Sequence, residues 1–168
     1  YRNYILSELG QPLRMIVLGG LTGSGKTAIL KELSLMDEQV IDLEGLASHK
    51  GSAFGSLGQG GQPSSEHFAN LLFKEAGRLD RRRRIFIEDE SHNIGSVNVP
   101  QVFYDHIRKA PVIALMPDIE IRLPRLIEEY GVFSPEQLIG SVTRISKRLG
   151  GDNTLRVIES IRSGDLKI

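Results

Sequence analysis

A mainly parallel β-sheet covered by helices on both faces is the fold this sequence predicts, and three observations carry the expectation. Short apolar runs at 14–20, 39–43, 85–88 and 111–116 alternate with helix-like segments, the pattern of strands buried on both faces. The first run enters a glycine-rich turn from which an amphipathic segment leaves. Acidic residues gather where the second and third runs end, the place where ligands collect on parallel sheets. The expected organisation is a linker or short helix at 1–12, an α/β core at 13–117, and a helical part at 118–168 packed on that core.

Residues 1–12 read as a short helix with Tyr1, Tyr4, Ile5 and Leu9 on one face, ended by Gly10 and Pro12. After the strand at 14–20, a helix runs to about Leu35. The second strand, 39–43, carries Asp42 near its end. Residues 44–63, rich in Gly and Ser, form a loop too long to be a mere connector. Helix returns at 64–76, with Ser64 as N-cap, Gly77 as stop, and His67, Phe68, Leu71 and Leu72 on one face. The third strand turns abruptly acidic at Glu88, Asp89 and Glu90. Pro100 opens a helix to about Lys109, with Val102, Phe103, His106 and Ile107 on its buried side. The fourth strand ends at Pro117. Three helices then follow at 118–130, 134–149 and 152–163, Pro124 kinking the first or shifting its start. Gly131, Gly150, Gly151 and Gly164 are terminators.

Gly20, Gly25, Lys26 and Thr27 fill G-x-x-x-x-G-K-S/T, the Walker A phosphate loop, with Gly23 and Ser24 between them. The expected fold is therefore a three-layer, P-loop NTPase-like α/β domain with a helical C-terminal extension. Glycines let successive backbone N–H groups converge on anionic oxygens. The helix beginning near Lys26 adds its unpaired first-turn donors. Lys26 brings a point charge to terminal phosphates, and the Thr27 hydroxyl suits a Mg²⁺ ion.

Such a loop working with Mg²⁺ needs a carboxylate from a neighbouring strand end. Either Glu88 or Asp89 can serve, Asp89 being favoured, and Glu90 could orient a nucleophile. Each is otherwise a solvated or capping acid. Lys26, Asp89 and Glu90 form the candidate catalytic set. In the loop after the second strand, Glu44, His49, Lys50 and Ser52 could contact a second substrate, or the loop is plain surface. The four histidines show no metal-ligand spacing. Arg81, Arg82, Arg83 and Arg84 read as a solvated run before a strand, or as a phosphate-backbone patch. Arg122 and Arg125 share a helix face and could close over a polyphosphate, grip RNA, or lie exposed.

With 21 basic and 21 acidic residues the formal charge is zero, so nucleic-acid contact needs a local patch. The absence of cysteine excludes disulfides, thiolate metal sites and a cysteine nucleophile. No apolar run is long enough to span a bilayer and no signal pattern opens the chain, so a cytoplasmic protein is expected. A start at Tyr1 suggests a piece of a longer protein.

Four further groups narrow the reading: Val40 to Gly45 with His49, Gly51, Ser52, Phe54 and Gly55; Gln62, Pro63, Ser64, Glu66 and Phe68; Ile87 to Ser91 with Ile94 and Gly95; and Lys147 to Gly151. Together with the phosphate loop they resemble the carboxyl-terminal domain of bacterial tRNA 2-selenouridine synthases. That resemblance implies a tRNA wobble-uridine modification enzyme that converts 2-thiouridine to 2-selenouridine with selenophosphate, through an S-geranyl intermediate made from geranyl diphosphate. It also implies an amino-terminal rhodanese-like domain with a catalytic cysteine. This sequence holds neither, so it would be a substrate-binding portion unable to complete selenation alone. The residues themselves define a site for a polyphosphate with Mg²⁺; geranyl diphosphate, ATP and GTP all fit, although no Asn-Lys-x-Asp is present to read guanine. Lys26 and Thr27 would bind a diphosphate, while Arg122, Arg125 and the 44–63 loop would position tRNA. Two other readings stay open: a small-molecule or nucleotide kinase, and a non-catalytic, nucleotide-gated RNA-binding module.

Overall fold

Strand β1 (Arg14–Gly20) lies inside a four-stranded, wholly parallel sheet of order β2-β3-β1-β6. Its partners are β3 (Arg84–Glu88), in register from Arg14 opposite Arg84 to Leu18 opposite Glu88, and β6 (Val112–Leu115). Strand β2 (Gln39–Ile41) completes the sheet against β3. The computed structural model describes residues 1–166. Because all four strands run the same way, their carboxyl ends share one edge. The phosphate loop, Asp42 and the acids at 88–90 meet there.

Side chains alternate across the sheet and build two unequal layers. Met15, Val17, Ile85 and Ile87 pack into the larger cluster, under α1 (Arg2–Leu9), α4 (Ser65–Ala76) and α5 (Gln101–Lys109). Leu18 and Phe86 point the other way, onto Leu30 of α2 (Lys26–Leu35). A separate small core joins α6 (Ile119–Tyr130), α7 (Pro135–Arg144) and α9 (Gly151–Ser163) through Tyr130, Leu138, Val142 and Ile161. Phe54 and Leu57 of the long loop pack into that core.

Several expectations need correction. The second strand stops at Ile41, because Asp42 caps a helix, α3 (Leu43–Ala47), accepting from the Gly45 N–H at 2.7 Å. The stretch from 44 on is thus not all loop. A hairpin that the sequence did not announce, β4 (Asn93–Ile94) with β5 (Val97–Asn98), turns at Gly95, whose φ is +60°. Gln62 ties the long loop to it, donating to the Ile94 carbonyl at 2.9 Å and accepting from the Ser96 N–H at 2.9 Å. The helix expected over 134–149 begins on a Ser134–Gln137 capping box but breaks at Ile145 into α7 and α8 (Ser146–Leu149). Pro124 sits inside α6. Val102, assigned to the buried side of its helix, is exposed, and so are Tyr1, Tyr4 and His67, which the spacing groups on one face with residues that are buried. Strand β6, read as covered, is an edge strand with Val112 and Ile113 about half exposed. Among the described residues no helix is long and apolar enough to cross a membrane.

Candidate phosphate-binding site

The turn between β1 and α2 has the backbone that its glycines permit. Gly25, with φ of +93°, is the N-cap of α2 and makes no side-chain cap hydrogen bond; the first-turn amides are therefore left for an anion. Gly23, with φ of +79°, packs so closely that a Cβ there would lie 3.0 Å from Leu126 Cγ and 3.1 Å from the Arg122 carbonyl. Lys26 Nζ donates to the Gly20 carbonyl at 2.8 Å, bridging the mouth of the loop. The Ser24 hydroxyl is buried without a partner.

A cleft of about 1040 Å³ opens over this loop. Gly20, Gly23, Ser24, Gly25, Lys26 and Thr27 line it, and so do Glu44, Lys50, Ser52, Asp89, Glu90 and Arg125. Sequence candidates from four separate stretches of the chain therefore converge.

The acids divide by role. Glu88 is 3% exposed and lies outside the cleft lining, its Oε1 accepting from the Glu44 N–H at 2.9 Å. Burial, with the nearby charge of Asp42, pushes its carboxyl up to about 8. Glu44 is likewise pushed up to about 8, first by burial and then by the Glu90 charge. Burial also raises Glu90, and the carboxyls of Glu44 and Glu90 converge beside Gly51, where a Cβ would lie 2.8 Å from the first and 2.5 Å from the second. The Lys26 charge opposes both shifts. A carboxyl pair that retains a proton thus faces the phosphate-loop lysine. Asp89, favoured as the metal-side acid, is paired with Arg108 at 2.8 Å, while its N–H donates to the Leu18 carbonyl at 2.8 Å.

Other candidates hold the protein to itself. Arg122 Nε donates to the Thr22 carbonyl at 3.1 Å, and Arg125 Nη1 to those of Ser24 at 3.1 Å and Gly23 at 3.4 Å. Lys50 pairs with Glu129 at 2.6 Å, which raises its pKa. Ser52 Oγ shares a hydrogen bond with Tyr130 Oη at 3.1 Å. His49 Nδ1 accepts from the Gly51 N–H at 3.2 Å, and burial followed by the Arg144 charge lowers its pKa. Glu88, His49 and Arg122 do not line the cleft. In the arginine run, Arg81 pairs with Glu8 at 3.2 Å, Arg83 with Asp37 at 3.4 Å, and Arg84 with Glu38. These contacts lie at the amino end of β3, remote from the phosphate loop, so the run is an ion-paired surface.

The cleft also contains Asp42, Gln59, Ser91, Glu129, Tyr130 and Arg148, none of them among the assigned site residues. Glu129 follows Arg125 by four residues and Arg122 by seven, so the helical face that drew attention to the arginines extends to it. No local pattern marks Gln59 or Arg148; only folding brings them here. Among the described residues, no group of three or more His, Cys, Asp or Glu could hold a metal ion.

Comparison with known sequences completes the description. The profile of a family described as tRNA 2-selenouridine synthase AAA domain matches residues 13–165. Proteins named tRNA 2-selenouridine synthase are among the relatives. The one from Pseudomonas syringae pv. syringae (strain B728a) is 32% identical over 96% of this chain and 49% of its own length. That from Shewanella loihica (strain ATCC BAA-1088 / PV-4) is 37% identical, over 82% and 41%. That from Serratia proteamaculans (strain 568) is 41% identical, over 77% and 34%. The chain spans at most about half the length of these relatives.

Proposed function

The chain belongs to the tRNA 2-selenouridine synthase AAA domain family, and from that premise we propose that it is the polyphosphate-binding part of an enzyme that modifies the wobble uridine of tRNA. The observation that carries this reading is the cleft itself. A phosphate loop with its lysine and the carboxyls of Glu44 and Glu90 line one space, large enough for a second substrate.

The ligand proposed is geranyl diphosphate or a nucleotide. Loop amides and Lys26 would take its phosphates, Lys26 leaving the Gly20 carbonyl to do so. With geranyl diphosphate, the sulfur of 2-thiouridine attacks the allylic carbon, a C–S bond forms, the C–O bond breaks, and the electron pair leaves with diphosphate. Donors fixed around the leaving group stabilise the charge it gains. The Glu44–Glu90 pair would accept the N3 proton that the S-alkylated base gives up. Exchange of the sulfur for selenium from selenophosphate belongs to the whole protein, including a rhodanese-like portion, and the isolated chain should not complete it.

A Mg²⁺ ion fits this donor set. Thr27 and Asp89 line the cleft and would hold the ion, Asp89 leaving Arg108 to do so, since Mg²⁺ is commonly held by one or two such groups plus phosphate and water. It would add charge neutralisation of the diphosphate. Glu88, assigned to this ion alongside them, is walled in by the Glu44 N–H.

A titration tests the reading: geranyl diphosphate, ATP and GTP with and without Mg²⁺, repeated with a 2-thiouridine-containing tRNA. Binding of a diphosphate or triphosphate, lost in Lys26→Ala, is expected. No binding of any of the three overturns it. Steady ATP turnover with a small acceptor would favour the kinase reading instead.

A further inference from the structure

His49 does not line the phosphate cleft, yet it stands two residues before Gly51, which does. Ser48, with φ of +50°, ends α3. The His49 N–H donates back to the Glu44 carbonyl at 3.0 Å, so the start of the long loop is fixed to the helix that carries Glu44. The loop then closes on itself, the Lys50 N–H donating to the Gly55 carbonyl at 2.9 Å. The half-buried imidazole is wedged in this turn. A Cβ on Gly55 would lie 2.7 Å from its Cε1, and one on Gly95 of the β4–β5 hairpin 2.7 Å from its Cδ2. The ring so seated accepts the Gly51 N–H on Nδ1 at 3.2 Å. To accept, Nδ1 must carry no proton; burial and then the Arg144 charge keep it neutral.

Gly51 is what this hydrogen bond places. Its backbone is left-handed, with φ of +62°. A Cβ there would stand 2.5 Å from a Glu90 carboxylate oxygen and 2.8 Å from one of Glu44. The bare glycine therefore fills space that water would otherwise take beside both acids, and carboxyls shielded from water favour their protonated form. We propose that His49 is a positioning residue: through the Gly51 N–H it holds the Gly51 backbone against Glu44 and Glu90 and so keeps water off that pair. The proposal rests on the reading of the pair as acceptor for the substrate's proton, and adds the residue that tunes it. A base works best when its proton affinity matches the surrounding pH; a fully hydrated glutamate holds a proton too weakly for that.

A carboxyl-carbon NMR titration of the chain, labelled at glutamate and free of ligand, tests this independently of phosphate binding. Glu44→Gln and Glu90→Gln assign the signals. Asparagine and leucine have nearly the same shape, but only asparagine keeps an acceptor where Nδ1 stands, so His49→Asn and His49→Leu isolate the hydrogen bond. In the parent and in His49→Asn, Glu44 should titrate near its raised value of about 8. In His49→Leu it should fall by about one pH unit or more, while the variant still melts cooperatively. Equal titration of Glu44 in the two variants, at the parent value or below it, overturns the proposal. So does a parent Glu44 in the ordinary carboxylate range, or a His49→Leu chain that fails to fold, which would make the ring structural alone. Failure of the polyphosphate titration above would instead overturn the reading of the cleft and leave this result untouched.

Discussion

The guanidinium of Arg125 lies against the phosphate loop, its Nη1 donating to the Ser24 carbonyl at 3.1 Å. Arg122, one turn earlier on α6, does the same to Thr22 at 3.1 Å. With these carbonyls engaged by arginines, the loop's N–H groups are left for an anion. A hydrogen bond to a charged group is worth about 1.5–3 kcal/mol, so Arg125→Ala should weaken inorganic diphosphate binding by roughly tenfold. The same variant should leave the salt dependence of tRNA binding unchanged; a slope reduced by about one charge would mean that Arg125 contacts RNA directly.

Lys26→Ala removes the mobile charge at the loop mouth. The expected loss is about 1.5–3 kcal/mol in diphosphate binding, tenfold or more in affinity. Because the side-chain hydrogen bond of Lys26 among the described residues goes to the Gly20 carbonyl alone, thermal melting should move little. A large fall in melting temperature would assign Lys26 a structural role instead.

Glu88 makes stability depend on pH. Its folded pKa is raised from 4.5 to about 8 by burial, so the folded chain holds a proton there that the unfolded chain releases. That contribution to stability is complete below about 4.5 and is lost as pH rises to about 8. Glu88→Gln keeps an acceptor for the Glu44 N–H and removes the charge. Denaturant melts should find it on the order of 2–4 kcal/mol more stable than the parent at pH 8, since each pH unit in the window is worth about 1.4 kcal/mol. At pH 4 the two should converge. Equal stability at both pH values would refute the buried-proton account.

Arg148 is exposed on α8 at the edge of the cleft, unlike the paired arginines at 81, 83 and 84. If tRNA approaches the phosphate site, Arg148→Ala should weaken tRNA binding and reduce its salt slope by about one. Replacing Arg82, at the far end of β3, should change neither. Filter binding across a salt series measures both, and an unaltered slope in Arg148→Ala would place the RNA elsewhere.

The phosphate loop could be read before any coordinates because its chemistry is local. Gly20 to Thr27 fix strand, turn, donors and helix start within eight residues. The strand cores at 14–18 and 85–88 were equally legible, since runs buried on both faces need no partner to be recognised. What misled was subtler. Asp42 reads equally well as the end of a strand or the cap of a helix. The hairpin at 93–98 has strands of two residues each, too short for periodicity to register.

By itself, then, the sequence determined a parallel sheet with a phosphate-binding loop at its carboxyl edge and acids nearby. Only the tertiary structure decided where the acids stand: Glu88 buried and outside the cleft lining, Glu44 and Glu90 brought together across forty-six positions, and Asp89 paired with Arg108. It alone committed Arg122 and Arg125 to loop carbonyls and seated His49 between Gly55 and Gly95. Side-chain direction and long-range contact follow from how helices dock on the sheet, a property that no window of the chain contains.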